Sequence, residues 1–334
     1  ETSYTTGGPG SFLVDDISIR SRDVEVQPLP PLNDTVDFPL GVAIDSRETV
    51  GASAELTLRH FNQVTAENHM KVEAWYDADR NFRMHPEAIT IMDFAQANGL
   101  RVYGHVLLWH SQTPDWFFQD DAGNPLTDSE ADKQILRDRL RTHVFDVAEA
   151  IADRYGPYGS DTNPLVAWDV VNEVISDSPE FADGLRRSEW YRILGEEFID
   201  LAFAYAEEAF NDEYAADGTD RPVALFINDY NTDQGGKQDR YLALVERMLD
   251  RGVPLDGVGH QFHVSLSTPV SALETALERF AHLPVVQAVT EMDVTVGTPV
   301  TQANIIEQGY FYRDAFEVFR EFHAATGDMF AVTV

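Results

Sequence analysis

The feature that most constrains the fold is a regular alternation of short apolar runs with longer amphipathic stretches from Phe38 onward. Eight such runs occur, at residues 40–44, 62–66, 100–109, 165–171, 223–228, 258–264, 285–290 and 329–334. Short continuous apolar runs are typical of strands in a sheet that is buried on both faces. The intervening stretches carry apolar residues every three or four positions, which is typical of helices, as at 132–154, 191–210 and 237–251. Glycines stand at the expected helix ends, at Gly99, Gly156 and Gly252.

Two parallel α/β architectures fit this alternation, a doubly wound sheet and a closed barrel. The count of eight runs and the polar residues at the ends of successive strands favour the barrel, because that fold carries its functional residues at one mouth. A Gly-rich phosphate loop does not follow the first run, which counts against a nucleotide-binding sheet. The predicted fold class is α/β, a (β/α)8 TIM barrel.

Charge and composition exclude several partners and chemistries. The 334 residues include 57 acidic and 24 basic side chains, for a net charge of −33, and lysine occurs only at Lys71, Lys133 and Lys237. This charge repels nucleic acid and anionic lipid, and no run approaches the roughly 18 apolar residues of a membrane-spanning helix. The absence of cysteine excludes disulfides and thiolate chemistry. Acid excess with little lysine suits a chain that stays soluble in concentrated salt, so we expect a halophilic origin, with an acidic mesophile as the alternative.

Polar residues follow one predicted strand after another. A single polar strand end is compatible with a helix cap or a surface loop, whereas six that share one barrel mouth are expected to form a site. The residues concerned are Glu67, Asn68, Lys71, His105, Trp109, His110, Gln112, Asn172, Glu173, Asn228, Tyr230, Gln261, His263, Glu291 and Asp293.

This set of residues predicts chemistry on a sugar. The chain has neither a His-Glu-x-x-His motif nor a Gly-x-Ser-x-Gly elbow, so we predict no catalytic metal, no activated serine and no cofactor. A metal held by His105, His110 and His263 remains a minor alternative. Aromatic faces among amides suit a sugar ring. Glu173 and Glu291, 118 residues apart, then suggest glycoside hydrolysis, in which retaining enzymes hold the two carboxyl groups about 5–5.5 Å apart.

Six ordered blocks between residues 38 and 334 resemble the signature blocks of glycoside hydrolase family 10, whose members are mostly endo-β-1,4-xylanases. The blocks are FNQVTAENHMK at 61–71, GHVLLWHSQTPDW at 104–116, WDVVNE at 168–173, NDYN at 228–231, QFH at 261–263 and TEMD at 290–293. The resemblance implies a retaining endo-β-1,4-xylanase that acts on xylan or xylo-oligosaccharides. It also leads us to expect a secreted monomer.

The resemblance also implies residue roles. Glu173 matches the acid/base and Glu291 the nucleophile, with Asn172 on the sugar 2-hydroxyl, His263 on the nucleophile and Asp293 behind His263. Apart from the resemblance, Glu173 as the acid must keep its proton near neutral pH, which needs apolar surroundings or a nearby negative charge, and Trp168 is a candidate for the apolar neighbour. The implied sugar-binding residues are Glu67, Asn68, Lys71, His105, Trp109, Gln112, Tyr230 and Gln261.

The sequence departs from the family pattern in one wall of the expected site. Val72 stands where many members have tryptophan, and Trp75 follows, so we expect that wall to be rebuilt. The rival functions are a β-1,4-glucanase or a dual xylanase and glucanase with the same mechanism, a non-catalytic carbohydrate-binding barrel, and a scaffold protein.

We expect three regions along the chain. Residues 1–25 contain a strand-like segment that resembles the closing strand of an upstream carbohydrate-binding β-sandwich, with packing on the main domain as the alternative. Residues 26–37 form a Pro-rich linker, and residues 38–334 form the catalytic barrel. The last apolar run stops without a turn residue, so we expect the barrel to be truncated after strand eight.

Overall fold

Eight parallel strands close into a barrel in the structure, a computed structural model that describes residues 25–334. Numbered in chain order, the barrel strands are β1 (Leu40–Ile44), β2 (Gln63–Ala66), β3 (Arg101–Trp109), β4 (Leu165–Asn172), β5 (Ala224–Asp229), β6 (Gly257–His260), β8 (Val286–Val289) and β10 (Met329–Thr333). Strand β10 pairs with both β8 and β1 and so completes the circle. The predicted (β/α)8 barrel is therefore confirmed.

Helices surround the barrel between successive strands. They are α1 (Gly51–His60), α2 (Pro86–Asn98), α3 (Glu130–Tyr155), α4 (Glu189–Leu194), α5 (Glu197–Ala206), α6 (Gly235–Asp250), α7 (Val270–Phe280) and α8 (Gln302–Thr326). Gly99 ends α2 in the left-handed conformation, with φ of 68°, as the sequence predicted. The single helix predicted over 191–210 is wrong, because Gly195, with φ of 67°, separates α4 from α5. None of the helices in the described part of the chain is long and apolar enough to cross a membrane.

A second, two-stranded parallel sheet extends the barrel at its carboxyl end. It consists of β7 (His263–Ser265) and β9 (Asp293–Thr295), in which His263 lies opposite Asp293. The run predicted as one strand over 258–264 is thus two strands, because Phe262 adopts φ of 51° between them. Left-handed backbone is incompatible with a continuous strand, so β6 ends at the mouth and β7 starts a separate layer.

Side chains alternate between the inside and the outside of the barrel, which places polar groups in layers. The lower layer is apolar and contains Tyr103, Ala167, Phe226 and Ala288. Trp168 faces outward instead, where it packs against Phe210 and over Gly104, and a Cβ on that glycine would lie 2.4 Å from the indole ring. The inward-facing positions above this apolar layer, toward the carboxyl ends of the strands, carry polar residues.

The segment before the barrel packs against it in part. Asn33–Thr35 forms a 3-10 turn, the Leu32 backbone N–H donates to His60 Nδ1 at 3.3 Å, and Phe38 is buried. The strand predicted within residues 1–25 lies outside the described residues, which begin at Glu25.

Candidate active site

A polar cavity of about 330 Å³ opens at the carboxyl ends of the barrel strands. Of the residues predicted for the site, those that line it are Glu67, Lys71, His105, His263, Glu291 and Asp293. They lie within or just after five strands, β2, β3, β7, β8 and β9, which are far apart in sequence. Barrel closure brings these strand ends together, as expected for this fold.

Glu291 lies just beyond β8 in a network of hydrogen-bond donors. Its Oε1 accepts from Asn228 Nδ2 at 2.9 Å and lies 3.9 Å from His105 Nδ1, while its Oε2 lies 3.3 Å from His263 Nε2. Burial pushes the pKa of Glu291 upward, but the hydrogen bond from His263 and the charges of His105 and His263 outweigh it, so the net pKa lies below the ordinary value. Glu291 is therefore ionised at neutral pH.

His263 carries the positive charge beside Glu291. Its hydrogen bond to Glu291, against a smaller effect of burial, raises the pKa of His263 to about 9, with Asp293 contributing as well. Asp293 Oδ2 lies 2.7 Å from His263 Nδ1, which fixes the ring orientation. The β7–β9 pairing positions both residues, so the small sheet holds this ion-pair chain in place.

A buried polar layer lies directly beneath Glu291 and includes residues that the sequence analysis did not assign to the site. Asp169 Oδ2 lies 2.8 Å from His105 Nδ1, and Asp169 Oδ1 accepts from the Tyr103 hydroxyl at 2.8 Å. Burial alone lowers the pKa of His105, but the bond to Asp169 and the charge of Glu291 raise it above its ordinary value. The inward alternation of Tyr103, His105 and Asp169 along β3 and β4 is the signal that identifies this layer.

Glu173 has a different set of neighbours. Its Oε2 accepts from Trp109 Nε1 at 2.9 Å and lies 3.8 Å from His110 Nδ1, and its Oε1 accepts from Gln261 Nε2 at 3.3 Å. Burial, together with the charge of Arg186, holds the pKa of His110 below its ordinary value, so this ring is neutral at pH 7. The indole beside Glu173 is therefore Trp109, and the prediction of Trp168 is wrong because that side chain faces the helices.

The backbone of Glu173 is held in an unusual conformation. Its φ is 57°, a left-handed value that costs a non-glycine residue about 1–3 kcal/mol and is typical of functional sites. The Glu173 carbonyl accepts from Arg186 Nε at 2.7 Å. Arg186 Nη2 also donates to the Tyr230 hydroxyl, which in turn donates to Asp177. Arg186 and Asp177 are further residues that the sequence analysis did not single out.

Asn228 connects the two glutamates. Its backbone carbonyl accepts from the Glu173 N–H at 2.8 Å, and its side-chain amide donates to Glu291 at 2.9 Å. Thr290 Oγ1 fixes the amide orientation by donating to Asn228 Oδ1 at 2.8 Å. Gly259 is required beside it, since a Cβ there would lie 2.5 Å from Asn228 Oδ1. Asn228 is therefore bonded to the backbone of Glu173 and to the carboxylate of Glu291, both of which lie just beyond the carboxyl ends of barrel strands.

Several predicted sugar-binding residues form a wall next to this pair. Lys71 Nζ donates to Asn68 Oδ1 at 3.2 Å and lies 5.3 Å from the centre of the Trp109 ring. Asn172 Oδ1 accepts from Gln261 Nε2 at 3.0 Å, which orients both amides. This wall presents amide, ammonium and indole groups, the combination that suits the hydroxyls and apolar faces of a sugar.

Two other predicted sugar-binding side chains are engaged elsewhere. Gln112 Nε2 donates to Glu73 at 3.2 Å, and the Tyr230 hydroxyl is bound by Arg186 and Asp177. Burial raises the pKa of Tyr230 to about 12, so it stays a neutral phenol.

The expected rebuilt wall does not involve Trp75. Val72 and Trp75 are both buried in the core, where the Trp75 indole N–H donates to the Met70 carbonyl.

Two groups of residues in the described part of the chain have the spacing of metal ligands. One is His105, Asp169 and Glu291 inside the cavity, and the other is Asp45, His69 and Glu87 outside it. In the first group the ligand atoms are already engaged, by the His105–Asp169 contact and the bond from Asn228 to Glu291. That group therefore forms a charge network in which His105 lies within hydrogen-bond distance of Asp169.

The site thus has the arrangement of a two-carboxylate glycoside hydrolase, with both acids at one mouth of a (β/α)8 barrel. The sequence profile described as Glycosyl hydrolase family 10 matches residues 33–334. The chain therefore belongs to glycosyl hydrolase family 10.

Individual relatives agree with this assignment. An endo-1,4-beta-xylanase A of Thermoanaerobacterium saccharolyticum is 35% identical over 92% of this chain, and one of Thermotoga maritima is 34% identical over 93%. The chain spans only 26% and 29% of the lengths of these two relatives. The crystal structure of TsXylA, an intracellular xylanase of T. saccharolyticum, has a TM-score of 0.80 and 36% identity, covering 92% of this chain and 89% of that one. Two mutants of TsXylA have been solved with xylotetraose and xylotriose bound.

Proposed function

We propose that this protein is a retaining endo-β-1,4-xylanase that cleaves internal bonds of xylan. The observation that carries the proposal is the position of Glu173 and Glu291 just beyond the carboxyl ends of β4 and β8, where Asn228 bonds the Glu173 backbone and the Glu291 carboxylate. Family membership and the xylanases among its relatives support the choice of substrate.

In the first step Glu291 acts as the nucleophile. One carboxylate oxygen attacks the anomeric carbon while the bond from that carbon to the glycosidic oxygen breaks, and Glu173 gives its proton to the departing oxygen. Ionised Glu291 beside protonated His263 matches the demand for a charged nucleophile. Asn172, oriented by Gln261, is placed to bind the sugar 2-hydroxyl.

In the second step water completes the reaction. Glu173, now a carboxylate, takes a proton from water, whose oxygen attacks the anomeric carbon and releases Glu291. The Trp109 and Gln261 donors hold the Glu173 carboxyl in one orientation through both steps. Two inversions give net retention, so the first product formed is the β anomer.

The test is reducing-sugar release from xylan and from carboxymethyl cellulose, with the product anomer followed by NMR. The proposal expects xylan cleavage to oligosaccharides with the β anomer first. Release of xylose alone would contradict internal cleavage, and an α anomer would contradict the double displacement.

Activity on β-1,4-glucan is the second candidate. It is favoured by one relative, named Exoglucanase XynX, which is 36% identical over 85% of this chain. Glucose carries a hydroxymethyl group that xylose lacks, and the wall formed by Lys71 and Trp109 is where it would have to fit. Equal rates on the two polymers would establish this candidate.

A further inference from the structure

Asp45, His69 and Glu87 bring three potential metal ligands together outside the catalytic cavity. Asp45 follows β1, His69 lies after β2, and Glu87 is in the first turn of α2. His69 Nδ1 lies 3.6 Å from Asp45 Oδ1 and 3.6 Å from Glu87 Oε2. One ligand atom from each residue lies within 4.8 Å of the other two.

These separations are long for hydrogen bonds, which have donor-to-acceptor distances of about 2.7–3.2 Å. Within residues 25–334, the buried atoms His69 Nδ1 and Asp45 Oδ1 have no hydrogen-bond partner. Two ligands at about 2.0–2.1 Å from a tetrahedral Zn²⁺ lie about 3.4 Å from each other. The spacing at this cluster therefore fits ligands that share a cation better than ligands that bond each other.

Neighbouring groups hold the ligands in this arrangement. Ser46 Oγ donates to Glu87 Oε2 at 2.9 Å, and the His85 ring stacks on the His69 ring with centroids 4.5 Å apart. His85 Nδ1 in turn accepts from the Glu87 backbone N–H at 3.2 Å. In metal sites, contacts of this kind from neighbouring residues orient the side chains that bind the ion.

Arg47, the cation next to this cluster, does not block the metal-binding position. Arg47 Nη2 lies 3.3 Å from Asp45 Oδ2, the other carboxylate oxygen, and its side chain is 80% exposed. Asp45 Oδ1, which faces His69, is not occupied by Arg47. Ion pairing of protonated His69 with both carboxylates is the alternative explanation, and it predicts no response to added metal.

We propose that Asp45, His69 and Glu87 bind one divalent transition-metal cation, with Zn²⁺ the best fit. A histidine nitrogen with two carboxylate oxygens and water in a fourth position suits Zn²⁺, whereas Ca²⁺ and Mg²⁺ prefer all-oxygen sets. The cation joins the segment before α1, the segment after β2 and α2. Because Glu67, Asn68 and Lys71 flank His69, it stabilises the wall of the sugar site.

The test uses the full chain, freed of metal by a chelator and titrated with ZnCl₂ by calorimetry and thermal melting. Saturation at about 100 times Kd should raise Tm by about 5 °C, while CaCl₂ and MgCl₂ should not. The isosteric variants Asp45→Asn and Glu87→Gln, together with His69→Ala, should each bind Zn²⁺ at least tenfold more weakly. The matched control His282→Ala, which alters a surface His–Glu pair, should bind as wild type does.

Repeating the titration in Glu291→Gln distinguishes Zn²⁺ bound at Asp45, His69 and Glu87 from Zn²⁺ bound in the catalytic cavity. This variant removes one ligand of the group in the cavity. One equivalent that persists in Glu291→Gln and disappears on adding Glu87→Gln supports the proposal. An absent Tm shift in wild type, or unchanged affinity in Glu87→Gln, overturns it, whether or not the chain hydrolyses xylan.

Discussion

Glu173 and Glu291 are the same residue type at one barrel mouth, yet their surroundings differ. Glu291 lies beside His263 and His105, two histidines whose pKa values are raised. Glu173 accepts from the neutral donors Trp109 and Gln261 and lies beside His110, whose pKa is lowered. Positive charge therefore concentrates on one carboxylate, and neutral donors surround the other.

This difference supports the separate roles proposed for the two glutamates. A carboxylate held by cations stays ionised, as a nucleophile must, whereas the Glu173 carboxylate accepts from the neutral donors Trp109 and Gln261. The surroundings come from different elements, the β7–β9 sheet for Glu291 and the ends of β3 and β6 for Glu173. Each carboxylate can therefore be perturbed separately.

The largest effect is expected from Glu291→Gln, which removes the nucleophile and leaves the shape nearly unchanged. Xylan turnover should fall by more than the roughly 10⁴-fold limit of a general acid–base contribution, while xylotetraose binding by calorimetry persists. The exposed Glu307→Gln serves as the control. Turnover near the wild-type rate would remove the nucleophile assignment.

Glu173→Gln should have a smaller and substrate-dependent effect. Hydrolysis of xylan, whose leaving oxygen needs a proton, should slow by about 10²–10⁴-fold. The first step on an aryl xylobioside with an acidic phenol should be almost unaffected, which a burst of phenol release would measure. Equal losses in the first step on both substrates would contradict the acid role.

Asn228→Ala tests the side chain that donates to the Glu291 carboxylate. It removes the hydrogen bonds that Asn228 makes with Thr290 and Glu291, so the free energy of unfolding should fall by about 2–3 kcal/mol, and kcat should drop about tenfold or more. Urea denaturation and xylan kinetics measure the two effects, with the exposed Asn124→Ala as control. Unchanged kcat would show that Asn228 does not position Glu291.

Salt should change the stability that depends on the acidic surface more than the catalysis that depends on Glu173 and Glu291. In molar KCl, screening shortens the Debye length to about 3 Å, so repulsion from the net charge of −33 weakens. We expect Tm to rise by about 5 °C between low salt and 2 M KCl, with little change in kcat. A flat melting response would contradict the halophilic interpretation.

The smallest effect is the pH dependence of stability contributed by His263. Its pKa rises from 6.5 in the unfolded chain to about 9 in the fold, so its stabilising contribution is complete below pH 6.5 and lost as pH rises through 9. Wild-type Tm should therefore fall over this range by about 2 °C more than that of His263→Asn, a small difference because the side chain is 43% exposed. Parallel Tm curves would show that His263 is not charged.

The strands and the two glutamates were predictable because each follows from a local pattern. Apolar runs marked all eight barrel strands, and Glu173 and Glu291 stand one and two residues after the ends of β4 and β8. The role expected of Trp168 was wrong. The alternation of side chains along β4, together with the space left by Gly104, shows that the indole faces the helices.

Contacts between distant segments could not be predicted from sequence. The contact of Asn228 with both glutamates depends on the barrel register, in which Asn228 pairs with Asn172 and with Gly259. The cluster of Asp45, His69 and Glu87 has no motif spacing, because its members come from three separate elements. Polar groups of this kind become a site only once the barrel closes.

Azide rescue of the matched variants Glu173→Ala and Glu291→Ala tests the division of roles most directly. With an aryl β-xylobioside and sodium azide, Glu173→Ala should form the β-glycosyl azide, because azide attacks the intermediate on Glu291. Glu291→Ala should form the α-glycosyl azide, because azide then takes the place of the missing nucleophile. NMR of the products distinguishes the two anomers, and the reverse assignment of anomers to variants would contradict the roles proposed for Glu173 and Glu291.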